Sequence, residues 1–221
     1  MNNIWRAIDR EASSAAEHLA IGVTILGKAN YAEIAYYGQA FFALSTGFER
    51  ASKLIIAIDY SLVNGGEFPP NKIIRSYKHD LSALLIKADE IAGRHHVKRR
   101  LPDSVIHKNI ITLLTQFADN ITRYYNLDLI TGDPKTIEQV DPIAAWFDQV
   151  ILPIFNMHVT DKRKTKIQEN ANLIADHLEK YSIVFHHNEK GDEIRKVKDA
   201  SFHTGVTDAS KPYLRTYVMQ I

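Results

Sequence analysis

Apolar residues recur along this chain at spacings of three and four, the period of an α-helix with one buried stripe. Trp5, Ile8, Ala12, Ala15, Leu19, Val23 and Leu26 keep that spacing and predict a first helix over residues 4–28. Gly27-Lys28-Ala29-Asn30 reads as its end. A second helix is expected over residues 31–63, stopped by Asn64-Gly65-Gly66 and kept from resuming by Pro69-Pro70. A third is expected over residues 76–93, with Asp80 in its first turn, where a carboxylate complements the helix dipole. Pro102-Asp103-Ser104 opens a fourth, which carries Val105, Ile106, Ile110, Leu113, Leu114, Phe117 and Ile121 and is expected to end between Tyr124 and Leu127. Residues 131–134 read as a loop. Asp141-Pro142 is a cap followed by proline at the first helical position. It starts a fifth helix with Ile143, Trp146, Phe147, Val150 and Ile151, which Pro153 should kink or end.

The character changes after Pro153. Asp161 to Lys166 form a charge run, followed by an expected helix over residues 166–178 with Ile167, Leu173, Ile174 and Leu178. Residues 181–185 are β-like, and residues 188–192 form a turn that makes a short hairpin. Lys211-Pro212 opens a terminal helix with Tyr213, Leu214, Tyr217 and Val218. The expected fold is therefore all-α: an antiparallel helical bundle over residues 1–160, with residues 161–221 as a small extension packed on it.

The chain has 221 residues, 45% hydrophobic and 24% charged, which suits one domain with a sizeable core or two small ones. A net charge of +1 gives no global pull toward nucleic acid or membrane. Cysteine is absent, so disulfides, thiolate metal sites and a cysteine nucleophile are excluded. Charges fall where a signal peptide has its apolar centre, and no apolar run approaches the ~18 residues of a membrane span. A soluble, cytoplasmic protein without membrane association is expected. There is no glycine-rich phosphate loop, no GxSxG and no HExxH. No cofactor is expected.

The second helix contains an anomaly. Glu49, Arg50 and Lys53 interrupt Phe41, Phe42, Leu44, Phe48, Leu54, Ile55, Ile56 and Ile58. Charges in such a run are costly unless paired or turned to a polar site. Glu49 and Lys53, four apart, share a helix face and can pair. His79-Asp80-Leu81 then opens the returning helix. A His-Asp pair also invites a metal-phosphohydrolase reading, but no further histidine stands at a telling distance. Two short basic runs, residues 94–100 and 162–166, are candidates for tracking a phosphate backbone.

Over residues 30–155 the chain resembles the HEPN superfamily of helical bundles. The resemblance rests on the Glu49-Arg50…Lys53 group, on His79-Asp80-Leu81 with Leu84-Leu85, and on Arg123-Tyr124, which stands where that superfamily often carries its key arginine. It implies a homodimer in which Arg-bearing helices meet at a cleft, and a role in bacterial toxin–antitoxin, phage-defence or stress systems. It also implies that polar groups of the second helix and the arginine line one groove, here Glu49, Lys53, His79, Arg123 and Tyr124; the partial burial of Glu49 expected from its aliphatic neighbours would let it pair with Arg123 across the bundle. Active members follow the arginine with a histidine four to six residues on, for metal-independent RNA cleavage. Here that histidine is missing, and Asp128 occupies the spacing. An exposed aspartate, with a pKa near 4, is a weak base. The expectation is accordingly a diverged module that binds RNA, a nucleotide or a cognate protein. The alternative is an endoribonuclease using Arg123 and Asp128, or a histidine from elsewhere such as His79.

Overall fold

A computed structural model describes residues 3–133 and 139–221. Its elements are α1 (Asn3–Leu26), α2 (Ala35–Val63), α3 (Asn71–Ser76), α4 (Leu81–Arg94), α5 (Val105–Ala118), α6 (Tyr125–Thr131), α7 (Pro142–Trp146), a π-helical turn (Phe147–Ile151), α8 (Leu152–His158), α9 (Asp161–Leu178), β1 (His186–His187), β2 (Glu193–Ile194) and α10 (Val197–Gln220). The expected all-α bundle with a small hairpin and terminal helix is what the chain forms. No helix of the described residues is long and apolar enough to cross a membrane.

The long helix α2 is the centre of the bundle. Its buried face (Tyr37, Phe41, Leu44, Phe48, Ile56) meets α1, α4 and α5. Gly22 and Gly47 set the spacing of α1 and α2. A Cβ on Gly22 would lie 2.6 Å from Leu44 Cγ, and one on Gly47 2.7 Å from Leu19 Cγ. Trp146, fully buried, packs its ring 4.8 Å from that of Phe41. The core is continuous with residues 161–221, since Ile167, Val206, Leu214 and Val218 belong to the same apolar cluster.

Several expected boundaries move, each for a local reason. The second helix starts at Ala35 because Asn30 Oδ1 accepts the amides of Ala32 (2.8 Å) and Glu33 (3.1 Å) in a turn of its own. The third starts at Leu81. Asp80 is its N-cap, accepting Ala83 N at 2.9 Å, and a separate short helix, α3, precedes it. The fourth ends at Ala118, ahead of Asn120 with φ +61°, so Arg123 stands in a connection. The expected loop at 131–134 begins at Gly132, the left-handed cap of α6; its Pro134 lies outside the described residues.

Pro153 does not end the fifth helix. The π-turn precedes it, and the carbonyl of Gln149, four residues back, accepts Asn109 Nδ2 at 3.0 Å. α9 begins five residues earlier than expected, capped by Thr160. The hairpin exists, but its strands are 186–187 and 193–194, in the register His186 opposite Ile194, and residues 181–185 are not a strand. α10 begins at Val197, so Pro212 lies inside a helix it was expected to open.

His107, 4% exposed, ties α5 to the end of α10. Its Nδ1 is 2.7 Å from Ser104 Oγ and its Nε2 3.0 Å from Gln220 Oε1. Burial holds this imidazole below its ordinary range against the smaller upward pull of Gln220. The unfolded chain thus takes up the proton first as pH falls from about 6.5, and the contribution of neutral His107, complete above that value, is lost as pH drops through the folded pKa. The unfolding midpoint of the wild type should fall between pH 7 and pH 5 by more than that of His107→Gln, measured side by side.

Candidate functional site

The structure brings Glu49, Lys53 and His79 together. Lys53 Nζ donates to Glu49 Oε1 and to the carbonyl of Lys78, both at 2.7 Å, while His79 Nδ1 lies 3.0 Å from Glu49 Oε2. Burial alone would raise the Glu49 pKa. The hydrogen bonds and charges of Lys53 and His79 outweigh it and hold the carboxyl below its ordinary value. This ionised, fully engaged carboxylate fastens the α3–α4 connection to α2. Its oxygens are taken, and the expected Glu49–Arg123 pair does not form.

Three residues of the basic run at 94–100 are also engaged. Arg94 Nη2 and His95 Nε2 meet Asp59 at 2.5 and 2.9 Å, and Arg100 makes two parallel bonds to Asp89 at 2.7 and 2.8 Å. In the second run Lys164 donates to the Asn156 carbonyl at 3.1 Å and Lys166 lies 3.6 Å from Glu169. No group of three or more His, Asp or Glu side chains among the described residues is placed to hold a metal ion. That includes the His79-Asp80 pair, whose aspartate is a helix cap.

Arg123 is different. It sits in the α5–α6 connection and its guanidinium carbon lies 5.4 Å from the ring centroid of Phe42 and 5.2 Å from that of Phe117. Two aromatic faces favour the cation, but no carboxylate within the described residues pairs with it. Its Nε is buried and has no partner among the described residues, and the same holds for Oγ1 of neighbouring Thr122, a residue only 5% exposed. Buried polar atoms are almost always satisfied, so two adjacent exceptions call for a cause.

Both residues line one open cavity of about 320 Å³, walled by Gly38 and Phe41 of α2, by Phe117, by Tyr124 and Tyr125, and by Asp141 with Ile143 at the start of α7. Tyr124 is half exposed at the rim. Asp141 spends one oxygen capping α7, accepting Ile143 N at 2.8 Å. The indole N–H of Trp146, behind Phe41, is a further buried donor without an acceptor among the described residues.

Of the sequence candidates, the cavity gathers Arg123 and Tyr124. Glu49, Lys53 and His79 form their own cluster on α2. Asp128 stands on α6, makes no ion pair with Arg123 and does not line the cavity. Thr122, Phe42 and Asp141 were not legible as site residues. The two phenylalanines of the platform read as core, and only Thr122, beside the singled-out arginine, carried a usable hint. No protein-family model matches the chain, and no curated protein and no solved structure matches it either.

Proposed function

We propose that the chain is a diverged HEPN-type module that binds an anionic ligand carrying an aromatic ring, a nucleotide or an unstacked base of single-stranded RNA, in the cavity around Arg123. The observation that carries this reading is a guanidinium with no acid partner among the described residues, held over two phenyl rings beside a threonine hydroxyl that also lacks a partner among them, in a cavity of ligand size. An oxyanion satisfies the guanidinium, and Tyr124 and Tyr125 offer ring faces to a base. The resemblance supports a role for such a module in a bacterial toxin–antitoxin, phage-defence or stress system.

The second reading is a metal-independent endoribonuclease. It needs a general base within reach of the phosphate that Arg123 contacts. Among the described residues lining the cavity there is no histidine, and Asp128 is not one of them, which favours binding over cleavage. Incubating single-stranded and structured RNA with the protein in excess chelator separates the two. Retention of intact single-stranded RNA is expected. Cleavage that survives the chelator and disappears in Arg123→Ala would establish the nuclease instead.

A further inference from the structure

The two-stranded sheet runs back into a segment that no described residue pairs. Residues 181–185 lead into β1, and Tyr181, Ile183 and Phe185 are 76%, 95% and 74% exposed. The rings of Phe185 and His187 stand 6.5 Å apart, while His186 meets the ring of Tyr31 and Val184 is half-buried. Side chains that alternate in this way belong to an extended backbone. The chain therefore runs extended from Ile183 into β1, with Tyr181, Ile183 and Phe185 in one outward apolar row.

The hairpin cannot extend to pair this segment. In the register that sets His186 opposite Ile194, Ile183 would face Val197, but Val197 is buried and already opens α10. The other edge is open. Asn188 N–H donates to the Asp192 carbonyl at 2.9 Å, and main-chain groups along an antiparallel pair alternate in direction. His186 accordingly turns its N–H and C=O to β2, and His187, Phe185 and Ile183 turn theirs outward. Among the described residues the backbone of residues 182–185 has no hydrogen-bond partner. Folded proteins cover or blunt open edges of such β-prone, apolar composition.

We infer that this edge is the docking site of an extended segment of another protein, which adds a strand along Ile183, Phe185 and His187 and carries apolar residues at alternate positions with a carboxylate near Lys180. The outward N–H and C=O groups select the occupant. A helix or a lipid surface laid over the apolar row would strand those groups, whereas a strand satisfies them and packs on the row at once. Lys180 marks one end: its Nζ lies 4.9 Å from the Tyr181 ring centroid and pairs with no carboxylate among the described residues. The same segment of a second copy fits less well, since residues 180–187 hold no acid of their own. Nucleic acid fits less well too. Lys180 is the one Lys or Arg in residues 180–188, and Ile183, the most exposed of the row, has no ring to stack.

The inference stands apart from the ligand reading, since no residue of this edge lines the Arg123 cavity. Selection from a displayed library of random twelve-residue peptides against the immobilised full chain tests it. Enriched peptides are expected to alternate apolar and polar residues and to carry Asp or Glu at one end. A synthetic peptide of that consensus should bind the wild type saturably by fluorescence polarisation. Ile183→Pro, which removes an outward N–H at an exposed position, should weaken binding at least tenfold. N-methylation along one edge of the peptide should do the same, and along its other edge should not. Lys180→Glu should weaken binding about threefold, the worth of an exposed ion pair, and a lysine at the peptide's acidic end should restore it. A selection without the alternating pattern overturns the inference. So does a consensus peptide that Ile183→Pro binds as tightly as the wild type while circular dichroism shows the variant folded. A wild-type dimer, or retention of single-stranded RNA, that Ile183→Pro abolishes would assign the edge to that occupant and overturn it as well.

Discussion

His203→Ala is expected to lower the unfolding free energy by about 3–5 kcal/mol, a large part of the stability of an ordinary domain. Glu189 is the reason. It sits in the turn between β1 and β2, yet it is 2% exposed and among the most deeply buried side chains. Its Oε1 accepts the Tyr37 hydroxyl at 3.0 Å, and its Oε2 pairs with His203 Nε2. His203 in turn is stacked on Phe147, with centroids 4.7 Å apart, and meets the edge of Tyr31.

One carboxylate thus joins α2, the hairpin and α10 inside the protein. Burial, then the charge and hydrogen bond of Glu189, push the Tyr37 phenol well above its ordinary value, so that tyrosine stays neutral and donates. Removing the histidine leaves a buried carboxylate with one donor. Denaturant unfolding at pH 7 measures the loss. Tyr37→Phe should cost less, about 1–3 kcal/mol. The triple replacement Glu189→Leu, His203→Leu and Tyr37→Phe should recover much of the stability, since apolar groups of similar volume avoid the desolvation penalty and no buried hydroxyl is left without its acceptor. A loss under about 1 kcal/mol for His203→Ala would show that the latch does not hold the hairpin.

Arg123→Ala is expected to weaken ligand binding by about 10- to 150-fold, the range of one charge-assisted hydrogen bond. It should change stability by no more than about 1 kcal/mol, because the guanidinium pairs with no carboxylate among the described residues and gives up its contact with Phe42 and Phe117. That combination marks a residue kept for a ligand. Arg123→Lys should fall between, keeping the charge but losing the planar fork and the stacking on the rings. An Arg123→Ala variant that unfolds while the wild type binds nothing would assign the arginine a structural role.

The helices were legible because their apolar periodicity is strong, as in Phe41, Leu44 and Phe48 or Ile106, Ile110 and Leu114. Their ends were not, where tertiary partners override local rules. Pro153 reads as a breaker, but the carbonyl it strands is satisfied by Asn109 from another helix. Asn30 and Asp80 spend their side chains on local amides and so shift two helix starts by a few residues.

The site divided in the same way. Lys53 and Glu49 are four apart on one helix, and their pair could be read from spacing. The partners of Arg123 could not, because Phe42 and Phe117 come from different helices and look like any core residue. Glu189 was hidden most completely: in Asn188-Glu189-Lys190-Gly191 it reads as a solvated turn charge, and its burial is explained by Tyr37, 152 residues away, and His203, 14 residues on in the next helix.

The claim that the Arg123 cavity is a binding site is tested most directly by isothermal titration of the wild type and Arg123→Ala with AMP and with a short single-stranded RNA, in chelator. Saturable one-to-one binding of at least one of them by the wild type is predicted, weakened at least tenfold in the variant and falling with salt. A wild type that binds neither, or a variant that binds as tightly as the wild type, would contradict the account.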